Sequence, residues 1–412
     1  MRNPLYILVG LVLLVSSLSH AMVFDNRYLP LLQKPFITIP CTSTNIIIDG
    51  IFSTASRAYG REDEEIPLFE IEGIFNQVPL ARSFLLAGLP DPFSTFPDLY
   101  RAENINYILN GKLQMQGADV YIRQNLSPRW SVGLDMAVMK VNSRINFELK
   151  ERDIELVLSQ VDYSQIDFIR RTMLNTLGVD CGYNVQRGFS DIDMYARYAR
   201  IWNYQYKFRR IETALRMGVL FPTGKRINIY EPTSIPFGGN GHWGFYGQFE
   251  AEFEVKEDWF AGFWTRLSGR APRTYTARMP AGKEHPRYGV VVGPARVSPS
   301  PTFVFMPYAV AQNLREGFGA GVRYNLVVHG QDSWEDARID KTIPVNLHEL
   351  RERSSWSSEY FSLNVFYDFG KVKVDRAMAP ILSIVWDIPS VLLIGNHFPR
   401  TYRVTVGLQL SF

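Results

Sequence analysis

The chain has 412 residues, of which 46% are hydrophobic, 14% aromatic and 21% charged. That apolar content excludes a disordered chain, and a formal charge of only +3 makes no electrostatic case for nucleic acid. Two cysteines, Cys41 and Cys181, exclude both a disulfide-dense scaffold and a multi-cysteine zinc framework.

The first predicted element is an export signal. Arg2 gives a positive start, Leu5 to Leu18 an apolar run, and Ser19-His20-Ala21 a small-x-small cleavage site. The run is short of the ~20 apolar residues that a spanning helix needs. Residues 1–21 are therefore expected to be a signal peptide cleaved after Ala21, followed by a periplasmic segment over 22–44. No cysteine adjoins the site, so no lipid anchor is expected. No later stretch reads as a membrane helix, since the most apolar, Ile381 to Gly395, is broken by Asp387 and Pro389.

What recurs instead is alternation with period two, in segments of about ten residues. In the last one, Tyr402, Val404, Val406, Leu408, Leu410 and Phe412 are apolar, and Arg403, Thr405, Gly407, Gln409 and Ser411 lie between them. The same pattern sets Leu215, Met217 and Val219 against Arg216 and Gly218, and Phe249 and Phe253 against Glu250, Glu252 and Glu254. Alternation alone fits a half-exposed strand of a soluble sandwich equally well. The connections separate the two. Twelve strands are expected near 45–58, 112–124, 130–140, 190–202, 211–221, 242–255, 259–268, 301–310, 317–328, 357–369, 378–388 and 401–412. Short turns between them alternate with long loops at 59–111, 141–189, 222–241, 269–300, 329–356 and 389–400. Short inner turns and long outer loops characterise transmembrane barrels, so residues 45–412 are read as an all-β, antiparallel transmembrane β-barrel. The alternation of the second strand shifts phase near Gly117, and Pro307 interrupts the eighth.

The final residues, Thr405-Val406-Gly407-Leu408-Gln409-Leu410-Ser411-Phe412, resemble the C-terminal β-signal of bacterial outer-membrane proteins, with Thr405, Gly407, Leu410 and Phe412 at its key positions. The resemblance implies the outer membrane of a Gram-negative-type bacterium, with the barrel-assembly machinery and outer-membrane lipid as partners. Phe221-Pro222-Thr223-Gly224 is similar to strand ends in several outer-membrane transporters, including fatty-acid and aromatic-hydrocarbon channels. Pro-Thr-Gly is also an ordinary turn, so no individual family follows from it.

Alternation assigns charged side chains to the barrel lumen: Asp135, Asp191, Asp193, Arg197, Glu212, Arg216, Glu250, Glu252, Glu254, Arg266, Arg323, Asp368 and Arg403, together with Asp49, Asp119, Arg123 and Asp387. Two readings stand open. One is a charged channel that favours cations; the other is a network of Arg–carboxylate pairs that fills a narrow barrel. The first long loop is apolar from Ile66 to Leu86, and leaving it wet would be costly. It is expected to constrict the mouth, cap the barrel or bind a lipid or partner, with the acids at Glu62 to Glu65 solvated at the rim. Ile166, Ile169, Met173, Leu174 and Leu177 carry a helical period, with Arg170 and Arg171 assigned to another face.

No paired histidines, nucleophile elbow, phosphate loop or dinucleotide fingerprint appears, so no enzyme, metal or cofactor is expected. Residues 22–44 are too short for an autotransporter passenger. The sequence supports a porin-like channel or passive transporter of small solutes. Its rival is a closed structural or adhesin-like barrel, and an outer-membrane lipid-modifying enzyme is a minor alternative. Substrate and oligomeric state are not encoded legibly. A Cys41–Cys181 disulfide is not expected, because the two are assigned to opposite sides of the membrane.

Overall fold

The computed structural model describes residues 26–29, 44–61, 64–102, 104–150, 162–179, 182–204, 206–372 and 380–412. The signal peptide, Cys41 and Cys181 lie outside the described residues. Twelve antiparallel strands close into a barrel: β1 (Thr44–Ala55), β2 (Asn106–Asn125), β3 (Trp130–Leu149), β4 (Tyr183–Phe189 and Ile192–Asn203), β5 (Arg210–Phe221), β6 (Gly244–Lys256), β7 (Trp259–Arg270), β8 (Thr302–Arg315), β9 (Phe318–His329), β10 (Trp356–Asp368), β11 (Ile381–Ser390) and β12 (Tyr402–Ser411). Chain order is kept around the whole wall: β1 pairs with β2 on one side and with β12 on the other, and β2–β3 pairing completes the ring. Thr44 and Phe412 exchange both backbone hydrogen bonds, at 3.0 and 3.2 Å, where the two ends of the chain meet. Closure leaves no unpaired edge.

All twelve expected strands are present, but β4 starts at Tyr183 rather than 190 and β8 ends at Arg315 rather than 310, and two more are longer than expected. Strand β2 starts at Asn106 rather than 112, and β3 ends at Leu149 rather than 140, which shortens both first loops. Their outward residues explain the difference. On β3, Trp130, Val132, Leu134, Met136 and Val138 point outward, and then Lys140, Asn142, Arg144, Asn146 and Glu148. The apolar part runs about 26 Å along the strand at ~3.3 Å per residue, close to the band of such barrels. Inward residues change in the opposite sense, from Asp135 to Met139, Val141 and Ile145. On β2 the switch falls between Ala118 and Gln116, which pair with Val138 and Lys140 at the same level. The phase shift at Gly117 is therefore no register slip. Register with β1 is continuous from Gln124 to Leu113, and the strand simply leaves the hydrocarbon. At Pro307 the ladder to β9 is interrupted, while pairing to β7 continues through Phe263, because Pro has no N–H to give.

Above the band, the long loops fold into a layer of their own. Helix α1 (Gln77–Leu86), helix α2 (Tyr163–Thr176) and the short α3 (Leu347–Glu352) lie here with two three-stranded sheets. Asn76 caps α1 through its side-chain oxygen, and Asp162 with Gln165 forms a capping box at α2. Among the described residues no helix is long and apolar enough to cross a membrane.

Glycines facing inward make room for aromatic rings from neighbouring strands. A Cβ on Gly133, Gly218 or Gly262 would collide with the rings of Tyr195, Tyr246 and Tyr308 respectively. These close approaches let large side chains lie flat across the inner wall.

Candidate functional site

The barrel interior is organised in rungs. Arg197, Arg216, Gln248 and Arg266 are directly opposite one another on β4 to β7, and Glu212 faces Glu252 lower down. Like charges placed opposite repel, so the stability of each rung depends on the next. Arg197 bonds Glu212 at 2.9 Å and Glu250 at 2.8 Å, Arg216 bonds Glu250 at 3.1 Å, and Arg210 also pairs with Glu212. Gln248 accepts from Arg266 and donates to Glu250, both at 2.8 Å. The Arg266 guanidinium lies 3.8 Å from the centre of the Tyr246 ring, and Arg216 lies 4.2 Å from that of Tyr195. Tyr246 donates to Asp193 at 2.8 Å, and Tyr308 donates to Glu252 at 2.9 Å. Across the barrel, Asp387 receives Arg323 at 3.2 Å and Arg403 at 2.7 Å.

The sequence-assigned lumen residues are all buried or half-buried here, but they do not form one acidic ladder. Asp135, Asp193, Arg197, Glu212, Arg216, Glu250 and Arg266 belong to the network, and Glu252 joins it through Tyr308. Asp191 sits at the break in β4 near the long-loop end. It accepts from Gly239 at 2.6 Å and Gly224 at 3.1 Å and pairs with Arg270 at 2.8 Å. Glu254 and Asp368 lie near the short-turn end, the first 3.6 Å from Arg209 and the second capping Gly370 at 2.8 Å. The tyrosines and Gln248 were not singled out by charge. Their signal was phase, since Tyr246 and Gln248 continue the inward series of Glu250 and Glu252.

The apolar first loop is buried, as its composition demanded. Leu68, Phe69, Ile71, Phe75, Val78, Leu80 and Phe84 join the inward Leu109, Leu113, Met115 and Val141 in one core. Phe69 lies against Gly111 on the inner wall. Ile74, Leu85 and Leu86 remain exposed, and so do Glu64 and Glu65; Glu62 and Asp63 lie outside the described residues. Helix α2 packs on this core through Ile166, Ile169, Met173 and Leu174. One expectation there is corrected: Arg170 is buried with the apolar stripe. Its guanidinium lies 4.2 Å from the centre of the Phe147 ring and pairs with Asp167 at 2.7 Å, which satisfies the charge without water.

A second correction concerns the segment assigned to the periplasm. Asn26–Leu29 lies among the outer loops, buried. Arg27 donates to the Arg353 carbonyl at 2.9 Å, Tyr28 donates to Glu72 at 2.7 Å, and Asn26 donates to the Pro236 carbonyl. The polar partners at that end satisfy the buried backbone and side chains of this segment.

Beside the apolar core the loops line a half-open cavity of about 510 Å³, within the range of small-molecule sites. Its walls come from Asn26–Tyr28, the 226–242 loop, the Arg273–Met279 strand and the inward ends of β7, β9 and β10 at Arg270, His329 and Trp356. Arg266 lies one inward step beyond Ser268 below Arg270, so the cavity stands over the lumen network. Thr302, His329 and Asp332 form a hydrogen-bonded chain at its edge, at 2.7 and 3.0 Å. The Thr302 hydroxyl is sealed from the cavity, since the residue is 1% exposed, and the chain ties two strand ends to a loop.

Electrostatics in this layer give a pH prediction. Burial would raise the Glu72 carboxyl, but Arg287 and Arg27 overturn that and hold it well below the usual range. Burial lowers His285 to about 4 and His397 to about 4. A depressed histidine is neutral in the folded state while its unfolded form takes up a proton below ~6.5. Stability from both histidines is therefore complete above pH 6.5 and is lost as pH falls toward 4, and Glu72 adds a loss below ~4.5. Hydrogen-exchange protection of the outer loops, taken relative to the intrinsic rate at each pH, should fall between pH 6.5 and 4 while the barrel strands stay protected. Equal protection of the loops across that window would count against these buried neutral histidines.

No family model matches the sequence, and no curated protein matches it either. Solved structures do. The COG4313 outer membrane channel from Pseudomonas putida F1 superposes with a TM-score of 0.53 over 92% of this chain and 100% of that one, at 10% identity. The translocator domain of autotransporter NalP from Neisseria meningitidis gives 0.39, covering 90% and 89% at 8% identity. A Pseudomonas aeruginosa FadL homologue gives 0.31, covering 90% of each at 8% identity. At such identities the likeness speaks for architecture alone, and the chain has the fold of the bacterial outer-membrane β-barrels.

Proposed function

We propose that this barrel is an exported outer-membrane channel that admits small solutes through a loop-built vestibule, not through a wide open pore. One observation carries the reading: a ligand-sized cavity stands over the lumen and is walled by the inward ends of three barrel strands. An adhesive or purely structural barrel has no need of a cavity of that size at that position. The signal peptide, cleaved after Ala21, and the absence of enzymatic activity are part of the same proposal. The rival reading, a closed structural barrel, draws on the density of the Arg–carboxylate–Tyr network below the cavity.

Planar-bilayer recording and liposome uptake with the purified protein decide between them. A channel gives stepwise currents or solute uptake that depend on the protein. No conductance and no uptake for any solute tested would leave the closed barrel.

The C-terminal strand is proposed to act as the assembly signal. Phe412 is exposed and pairs with Thr44, so its ring adds little to packing. Deleting Phe412 should lower the amount of barrel in the outer membrane several-fold, with little change in the unfolding midpoint of the fraction that assembles. Unchanged outer-membrane levels would count against the signal.

A further inference from the structure

The vestibule lining is rich in arginine. Arginine is its only basic lining residue apart from two histidines, and most of its arginines have a carboxylate. Arg27 and Arg287 share Glu72, Arg270 has Asp191, and Arg353 has Glu349 at 3.1 Å. Two other lining arginines, Arg226 and Arg278, differ, and so does Arg273 just behind the wall. Arg278 is 8% exposed and donates only to backbone carbonyls: Gly289 at 2.7 Å, Ile229 at 3.0 Å and Leu177 at 3.2 Å. Arg273 donates to the Gly241 carbonyl at 2.6 Å. Arg226 stands beside it, partly exposed, and both guanidinium groups occupy the space that a Cβ on Gly241 would take. Among the described residues no carboxylate lies within ion-pair range of these three. Burial and the neighbouring Arg273 both pull the Arg226 pKa downward, and burial lowers that of Arg278. These are the marks of positive charges with no counter-charge.

The carboxylates that do line the cavity are already engaged. Glu231 accepts from Asn184 at 2.6 Å, and Asp332 from Ser300 at 2.8 Å and His329 at 3.0 Å. Part of the remaining wall is aromatic, beside Ile227, Ile229, Val297 and Leu350. Tyr275 meets Trp334 edge-on at 6.4 Å, and Trp356 stacks with His329 at 5.7 Å. Uncompensated guanidinium groups recognise carboxylate or phosphate oxygens in paired geometry, and aromatic walls take a flat apolar body.

From these contacts we infer that the vestibule binds a small organic anion, with its acid group at the Arg226–Arg273 pair and its apolar body against Tyr275, Trp334 and Trp356. The inference names the solute class for the proposed channel and rests on that reading for its physiological role, though not for binding itself.

Calorimetric titration of the full-length protein in detergent tests it, with benzoate, benzyl alcohol and benzylamine as probes of one shape and three charges. Benzoate should bind at least ~10-fold more tightly than either of the others, as charge-assisted hydrogen bonds require. Its affinity should also fall as salt rises. Arg278→Gln removes three bonds that tie loops together, so a folding defect would obscure its effect. Arg226→Gln breaks none of the hydrogen bonds described here and should weaken benzoate about tenfold without altering the unfolding midpoint. Equal binding of benzyl alcohol and benzoate would overturn the inference, and so would an unchanged benzoate affinity in Arg226→Gln. Liposome uptake of the same three probes separates the two proposals. Benzoate binding without uptake of any probe removes the channel and keeps the site. Uptake without preference for benzoate keeps the channel and removes the site.

Discussion

Replacing Asp387 with leucine should destabilise the barrel by about 3–5 kcal/mol, the usual cost of removing one partner from a buried ion pair. Asp387 is 0% exposed, and two buried guanidinium groups depend on it, Arg323 at 3.2 Å and Arg403 at 2.7 Å. The three side chains stand in one row across β9 to β12, with Ser362 between Arg323 and Asp387. The variant removes the carboxylate that both buried guanidinium groups share. Urea unfolding in micelles should show the loss directly. Adding Arg323→Met and Arg403→Met should restore much of it, because the buried cations that Asp387 served are then gone. A single variant as stable as the parent would mean that this row is bathed by water in an open lumen, where ion pairs contribute ~1 kcal/mol or less. The measurement therefore reports on the pore as well as on stability.

Deleting residues 66–86 should turn a barrel with a packed mouth into one of several-fold higher conductance. The segment contributes seven large buried side chains to the core over β2 and β3, and Phe69 touches the inner wall at Gly111. Its removal leaves the inward Leu109, Leu113, Met115 and Val141 facing a void that water enters. The smaller change Phe75→Ala should cost about 3–5 kcal/mol in the loop layer, because Phe75 is 1% exposed and meets Tyr107, Phe147 and Tyr288 edge-on. If the deletion lowers stability but leaves conductance unchanged, the segment is a cap beside the solute path. Rapid cleavage throughout 66–86 in intact cells would contradict the burial itself.

Strand number, direction and facing were legible in the sequence, because a transmembrane barrel imposes period two under two fixed solvents. Lipid outside and polar groups inside leave each strand only one phase, so Leu215, Met217 and Val406 declare the outer face without any tertiary knowledge. Aromatic residues at strand ends were less informative. Tyr360 sits beside a long loop but points inward onto Phe398, since position along a strand does not fix the face. The code also failed where its premise did. Above Val138 and Ala118 water replaces lipid outside and a protein core replaces water inside, so the same backbone reads as a phase error.

The candidate site divides in the same way. Charged residues of the lumen were named by alternation, since phase alone puts Arg216 or Glu250 on the inner face. Which carboxylate meets which guanidinium depends on cross-strand register, and that is set only when neighbouring strands align. Asp191, two residues from Asp193, serves a different partner because β4 breaks between them. The vestibule was beyond sequence reasoning altogether. Arg226, Arg273 and Arg278 come from two loops and carry no periodic signal, and their lack of counter-charges is a property of three-dimensional neighbours. The sequence by itself determined a β-barrel of twelve strands with a buried first loop, since solvent contrast acts residue by residue. Only the tertiary structure decided where the loops leave a cavity and which charges they strand there, because those depend on contacts between segments far apart in the chain.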